Sequence, residues 1–143
     1  INQEVSMSSS SVFIVKNAVL ASRLSKKVGN RLSVHGISLT EFLIMDYLST
    51  APHKAVSRIE LAEYIGMSAS GITRLISPME KNKIVEKTAN LRDARQSLVQ
   101  LSETGQRLHG EALVSFEHIA NDLISNINQS QIAKTVELYD KLL

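Results

Sequence analysis

The chain has no cysteine and no tryptophan among its 143 residues. Without cysteine there is no disulfide, no thiolate metal site, no cysteine nucleophile and no thiol redox sensor. Such a composition fits a reducing, cytoplasmic setting. Aromatic residues make up only 4%, too few for a large pocket walled by stacked rings. No apolar run approaches the roughly 20 residues of a membrane-spanning helix, so no membrane role is expected. No secretory signal is read either. The first residue is Ile1 rather than Met, which leaves the native start open. The histidines, His35, His53, His109 and His118, form no i, i+4 pair, and no metal site is expected. Nucleophile elbow, phosphate loop and paired-carboxylate motif are all missing. The expectation is therefore neither an enzyme nor a cofactor carrier.

What is present is a chain long enough for one core, with 43% hydrophobic residues. The formal charge is only +2, but it is unevenly spread. Residues 1–40 carry a net +4, 41–67 a net −2, 68–107 a net +3 and 108–143 a net −3. Two basic blocks of this kind suit a face turned to phosphate, although ordinary surface scatter gives similar patterns.

Helical periodicity organises most of the chain. After a Ser-rich stretch from Met7 to Ser11, expected to fray, Leu20, Leu24, Val28 and Leu32 recur every four residues. Gly29, Asn30, His35 and Gly36 weaken and end this helix. Ser38-Leu39-Thr40-Glu41 is a capping box opening a helix that ends before Ala51-Pro52. Ser57-Arg58-Ile59-Glu60 is a second box, opening a short helix stopped by Gly66. Ser68 caps a third, with Ile72, Leu75, Ile76 and Met79 on one face. Pro78 removes one N–H there and is expected to bend it. Two strand-like runs, Ile84 to Thr88 and Ser97 to Leu101, flank a polar loop over Ala89 to Gln96. Ser102 caps a long helix whose repeat runs from Leu108 to Ile127. After a break at Asn128 to Ser130, a last helix carries Ile132, Val136, Tyr139 and Leu143.

A short helix, a tight Gly-containing turn, a second helix and a hairpin make a winged helix-turn-helix, in which the second helix can enter a major groove. Its outward residues are small or polar: Ser68, Ser70, Gly71, Thr73, Arg74 and Ser77. Hydroxyls and helix-start N–H groups suit phosphate oxygens, and Arg74 can hold phosphate or read guanine. At the hairpin tip, Arg92 and Arg95 can enter a narrow minor groove. Asp93 is expected to pair with Arg95 and restrict its rotamers. By itself that trio is also an ordinary surface ion pair.

Asp93-Ala94-Arg95 followed by Leu98-Val99-Gln100-Leu101-Ser102-Glu103-Thr104-Gly105 resembles the wing of the MarR family of bacterial regulators, with Ser102 where Thr is usual. Leu61-Ala62, Ile65-Gly66-Met67-Ser68 and Thr73-Arg74-Leu75-Ile76 with Met79-Glu80 resemble its recognition segment. Ser77 and Pro78 stand where members often have Asp and Arg. The resemblance implies a mainly α fold with a small antiparallel β-hairpin, one domain over residues 1–143. Residues 38–101 would form the winged head, with its wing at 89–96. Residues 12–33 and 103–143 would form helices of a homodimer body. It further implies a repressor binding a pseudo-palindromic site on double-stranded DNA through Ser68, Ser70, Thr73, Arg74, Arg92 and Arg95, with Asp93 as support. A small anionic or phenolic effector would release the DNA from a pocket at the joint of body and head. No motif places that pocket; Arg23, His35 and Met45 fall near the joint. The rival is a winged helix that binds protein without specific DNA, which a wing carrying two arginines suits less well.

Overall fold

A computed structural model describes residues 5–143. Helix α1 spans Ser9–Leu32 and starts earlier than its hydrophobic repeat. The Ser-rich stretch expected to fray supplies its cap instead, because the Ser8 hydroxyl accepts from the Ser11 amide at 3.2 Å. Gly36, left-handed at φ 73°, turns the chain after a short 3₁₀ turn. The full capping box at Ser38 and Glu41 then opens α2, Leu39–Thr50. Phe42, Ile44, Met45 and Leu48 of α2 are buried and form the centre of the core.

A two-residue strand β1, Ala55–Val56, precedes α3, Arg58–Ile65. At Ser57 only the forward half of the expected box is made, to the Glu60 amide at 3.1 Å. The Glu60 carboxylate faces the phenol of Tyr47 instead. Burial first, and then that carboxylate, push the phenol above its ordinary value of 10.0. Helix α4, Ala69–Lys81, continues through Pro78. Ile72, Ile76 and Met79 anchor its inner face, while Pro78 lies on the exposed side.

Strands β2, Val85–Ala89, and β3, Ser97–Leu101, pair antiparallel from Val85 opposite Leu101 to Ala89 opposite Ser97. β1 adds to the other edge of β3, giving the order β1-β3-β2. Val56, Val85, Val99 and Leu101 point from the sheet into the core. Helix α5, Glu103–Leu123, ends four residues before its repeat does. Ser125 there bonds back to the Asp122 carbonyl at 3.2 Å, offering the backbone a turn in place of a further helical step. Asn128 caps α6, Gln129–Leu142.

Helix α5 packs against both α1 and α2. Phe42 stacks on Phe116 and His109 of α5 at centroid separations of 4.5 and 5.7 Å. His109 Nε2 lies 2.9 Å from Asp46 Oδ1 of α2, and His35 Nε2 lies 2.7 Å from the Ser115 hydroxyl. Helix α6 buries no residue within this single chain.

Candidate nucleic-acid interface

The turn between α3 and α4 is set by Gly66. Its φ of 77° is left-handed, which costs an L side chain energy but not glycine. Gly66 N–H donates to the Glu63 carbonyl at 3.3 Å, and Met67 N–H to the Ala62 carbonyl at 2.9 Å. These paired bonds close α3 in a Schellman motif. Ser68 follows at once as the cap of α4, accepting from the Gly71 amide at 3.1 Å. Two residues thus separate the helix stop from the next cap. Arg58 of α3 fixes the crossing, donating from Nη2 to Glu80 Oε1 of α4 at 2.5 Å in a half-buried pair.

On the start of α4, Ser68 and Ser70 are brought together, their hydroxyls 3.1 Å apart. Thr73 and Arg74 follow on the same exposed side of the helix. Thr73 donates its hydroxyl proton to the Ala69 carbonyl at 3.1 Å, leaving oxygen lone pairs outward. Arg74 is exposed, and among the described residues no carboxylate lies within 4.0 Å of it.

The wing is built from its foot. Ser102 donates its hydroxyl to the carbonyls of Lys83 at 2.5 Å and Ile84 at 3.0 Å, and accepts from the Gly105 amide at 2.9 Å. A Cβ on Gly105 would stand 2.0 Å from the Ile84 carbonyl oxygen. Only glycine lets α5 press so closely on the chain entering β2. The Ser-x-x-Gly run is therefore a clamp holding the root of the hairpin.

At the tip, the expected contact between Asp93 and the Arg95 guanidinium is not made. Asp93 Oδ1 accepts from the Arg95 backbone N–H at 3.0 Å. A short side chain reaches its own backbone two residues on more readily than a mobile guanidinium does. Asn90 Oδ1 does the same for the Arg92 amide at 3.0 Å, a role the sequence pattern did not single out. Arg92 and Arg95 are both exposed, with no carboxylate within 4.0 Å among the described residues. No hydrogen bond or ion pair among those residues joins the α4 group to the wing loop. They are two patches on adjoining elements, connected where α4 packs on β2.

A cleft of about 520 Å³ opens among α2, β2, β3 and α5, lined by Ser49, Lys54, Glu86, Gln100, Gln106 and His109 among others. Of the residues expected near the joint, Met45 is fully buried and His35 bonds α5. Neither they nor Arg23 line this cleft. No cluster of three or more metal-binding side chains occurs among the described residues. None of the helices in that range is long and apolar enough to cross a membrane.

The family model of the MarR family matches residues 35–96. The match covers less than half of the chain. It runs from the end of α1 to the tip of the wing, and so contains α3, α4 and both arginines of the loop. No curated protein sequence matches the chain. Solved structures match nearly all of it. A MarR-family regulator from Rhodococcus sp. RHA1 aligns over 96% of each chain with a TM-score of 0.83 and 17% identity. The regulator BldR from Sulfolobus solfataricus covers 96% of this chain and 100% of its own, at 0.78 and 19%. A mutant MarR from E. coli, solved in complex with operator DNA, covers 96% and 99%, at 0.79 and 18%. The chain thus has the winged-helix fold of MarR-family structures.

Proposed function

We propose that this MarR-like chain is a homodimeric, sequence-specific regulator of transcription that binds double-stranded DNA, and that it acts as a ligand-responsive repressor. The observation that carries this reading is the pairing of two cationic patches free of carboxylate partners. One is Arg74 on the exposed side of α4, and the other is Arg92 and Arg95 on a wing held in shape by its own side chains. An unpaired, exposed guanidinium keeps its full charge for phosphate, and a pre-shaped loop loses less entropy on docking. In this reading α4 lies in the major groove, with Ser68, Ser70, Thr73 and Arg74 toward bases and phosphates. The wing probes the minor groove with Arg92 and Arg95. The operator complex of the E. coli relative, with the same fold, supports this assignment.

Exposed apolar residues on three helices support the dimer: Val15, Val19 and Leu20 on α1, Leu113 and Val114 on α5, and Val136 on α6. A two-fold pair would put two heads on successive half-sites, matching a pseudo-palindromic operator. The 520 Å³ cleft at the joint has the size of a small-molecule site. A ligand there would act by favouring one head spacing over another.

Fluorescence anisotropy with duplexes recovered by selection from a random pool tests the proposal. Three cations per head, six per dimer, predict log affinity falling with log salt at a slope of about −5. Arg74→Ala should weaken binding and flatten that slope by about 2 per dimer. A salt-independent interaction, or no duplex recovered, would favour a protein-binding winged helix instead.

A further inference from the structure

The wing carries one residue that phosphate binding does not use. Leu91 is 99% exposed and sits between Asn90 and Arg92, in a loop whose other members are polar or small. It borders two shallow grooves at the wing, one shared with Arg95 and the other with Arg92. Its position does not come from packing. The bond from Arg92 N–H to Asn90 Oδ1 spans it directly, and Gln96 N–H donates to the Asp93 carbonyl at 3.1 Å to close the loop behind it. The backbone therefore holds a leucine outward, next to two arginines with no carboxylate partner.

A single exposed leucine is common on protein surfaces. This one differs by its company. Arginines draw a loop tip into a narrow minor groove, where phosphates on both walls concentrate negative potential. Once the tip is there, the leucine has sugars and base edges for neighbours rather than water. An apolar side chain at the groove floor is accommodated by parting two stacked base pairs, and pyrimidine–purine steps such as TA and CA part most readily. We propose that Leu91 is an apolar wedge that enters the minor groove beside Arg92 and Arg95, opens one base step and kinks the duplex. The wing would then select a deformable step without a hydrogen bond to any base. This rests on the DNA-binding reading of the wing and adds a bend and a sequence preference to it.

The probe is a duplex of about 30 base pairs recovered by selection with the full chain. It carries end dyes for the bend, and 2-aminopurine beside the candidate step for unstacking. The wild type should recover duplexes sharing a TA or CA step beneath each wing. It should draw the ends together and brighten the 2-aminopurine. Leu91→Ala should bind about tenfold more weakly and lose both signals, while Leu91→Met, which keeps an apolar side chain of similar reach, restores them. Both variants should melt like the wild type, because so exposed a side chain holds nothing in the folded chain. A Leu91→Ala protein that binds, bends and brightens as the wild type does overturns the wedge while leaving DNA binding intact. A wild type that recovers no duplex overturns both. If Leu91→Ala instead shifts the sedimentation of the free protein, the leucine contacts another copy of the chain and the wedge is wrong.

Discussion

Asp93 shows how much one side chain can do without a charge pair. The sequence places an acid two residues before an arginine, which suggests attraction between their charges. The folded loop uses the carboxylate as a hydrogen-bond acceptor for the Arg95 amide. The two roles predict different mutants. Asp93→Asn keeps an oxygen in place and removes a negative charge from the surface proposed to meet phosphate. It should preserve the loop and bind duplex as well as the wild type or somewhat better. Asp93→Ala removes the acceptor. Losing one such bond costs about 1 kcal/mol of loop order, roughly fivefold in affinity per wing. Anisotropy titration of both proteins decides the matter: if Asn fails as badly as Ala, the ion pair is the working contact after all. The motif made Asp93 recognisable as a wing residue. Its geometry was not legible, because a carboxylate within reach of both an amide and a guanidinium leaves no sequence signal of which it takes.

At the scale of elements, caps carried most of the information. Ser8, Ser38, Ser57, Ser68, Ser102 and Asn128 each accept a backbone N–H at a helix start, and four of these starts are readable from Ser followed by a hydrophobic period. β3 is legible from its alternation. β1 is not, since two residues cannot show a period and their strand character comes from pairing Ala55 with Gln100 and Val56 with Val99. The end of α5 is misleading for a related reason: Ile127 continues the apolar spacing, while the local bonds of Ser125 and Asn128 stop the helix. The clamp at the foot of the wing was visible as a motif, but its purpose needed the 2.0 Å approach at Gly105. Gly105→Ala must push α5 away from the backbone of Ile84, which cannot rotate aside. Overpacking of this kind costs about 3 kcal/mol. A chain of this size should then melt roughly 10 °C lower, by circular dichroism. Melting unchanged within a degree or two would mean that α5 is free to shift.

For the molecule as a whole, the question is what covers the body. Taken alone, α6 buries nothing, and its tie to α1 is a single bond from the Tyr139 hydroxyl to Asn17 Oδ1 at 2.6 Å. A helix so placed gains little from packing, yet its Leu138 and Leu142 stand exposed one turn apart on the same side, with Val136 exposed as well. On α1, Val15 and Val19 are likewise exposed one turn apart, with Leu20 exposed beside them. Each such side chain contributes about 1.5–3 kcal/mol when fully covered, and in the proposed dimer several of them joined across a two-fold axis would offset the entropy lost on association. The chain of 15.8 kDa should sediment at twice that mass at micromolar concentration. Val19→Lys with Leu20→Lys should yield monomers, since two charges per protomer would be buried without partners. Both residues are exposed in the single chain, so the head should keep its fold. A monomer holding one head would lose the second half-site, and its affinity for a two-half-site duplex should fall at least a hundredfold, with single half-site binding unchanged. A double variant that stays dimeric would move the interface to another face, and a wild type that sediments as a monomer would remove the paired heads on which the spacing mechanism depends.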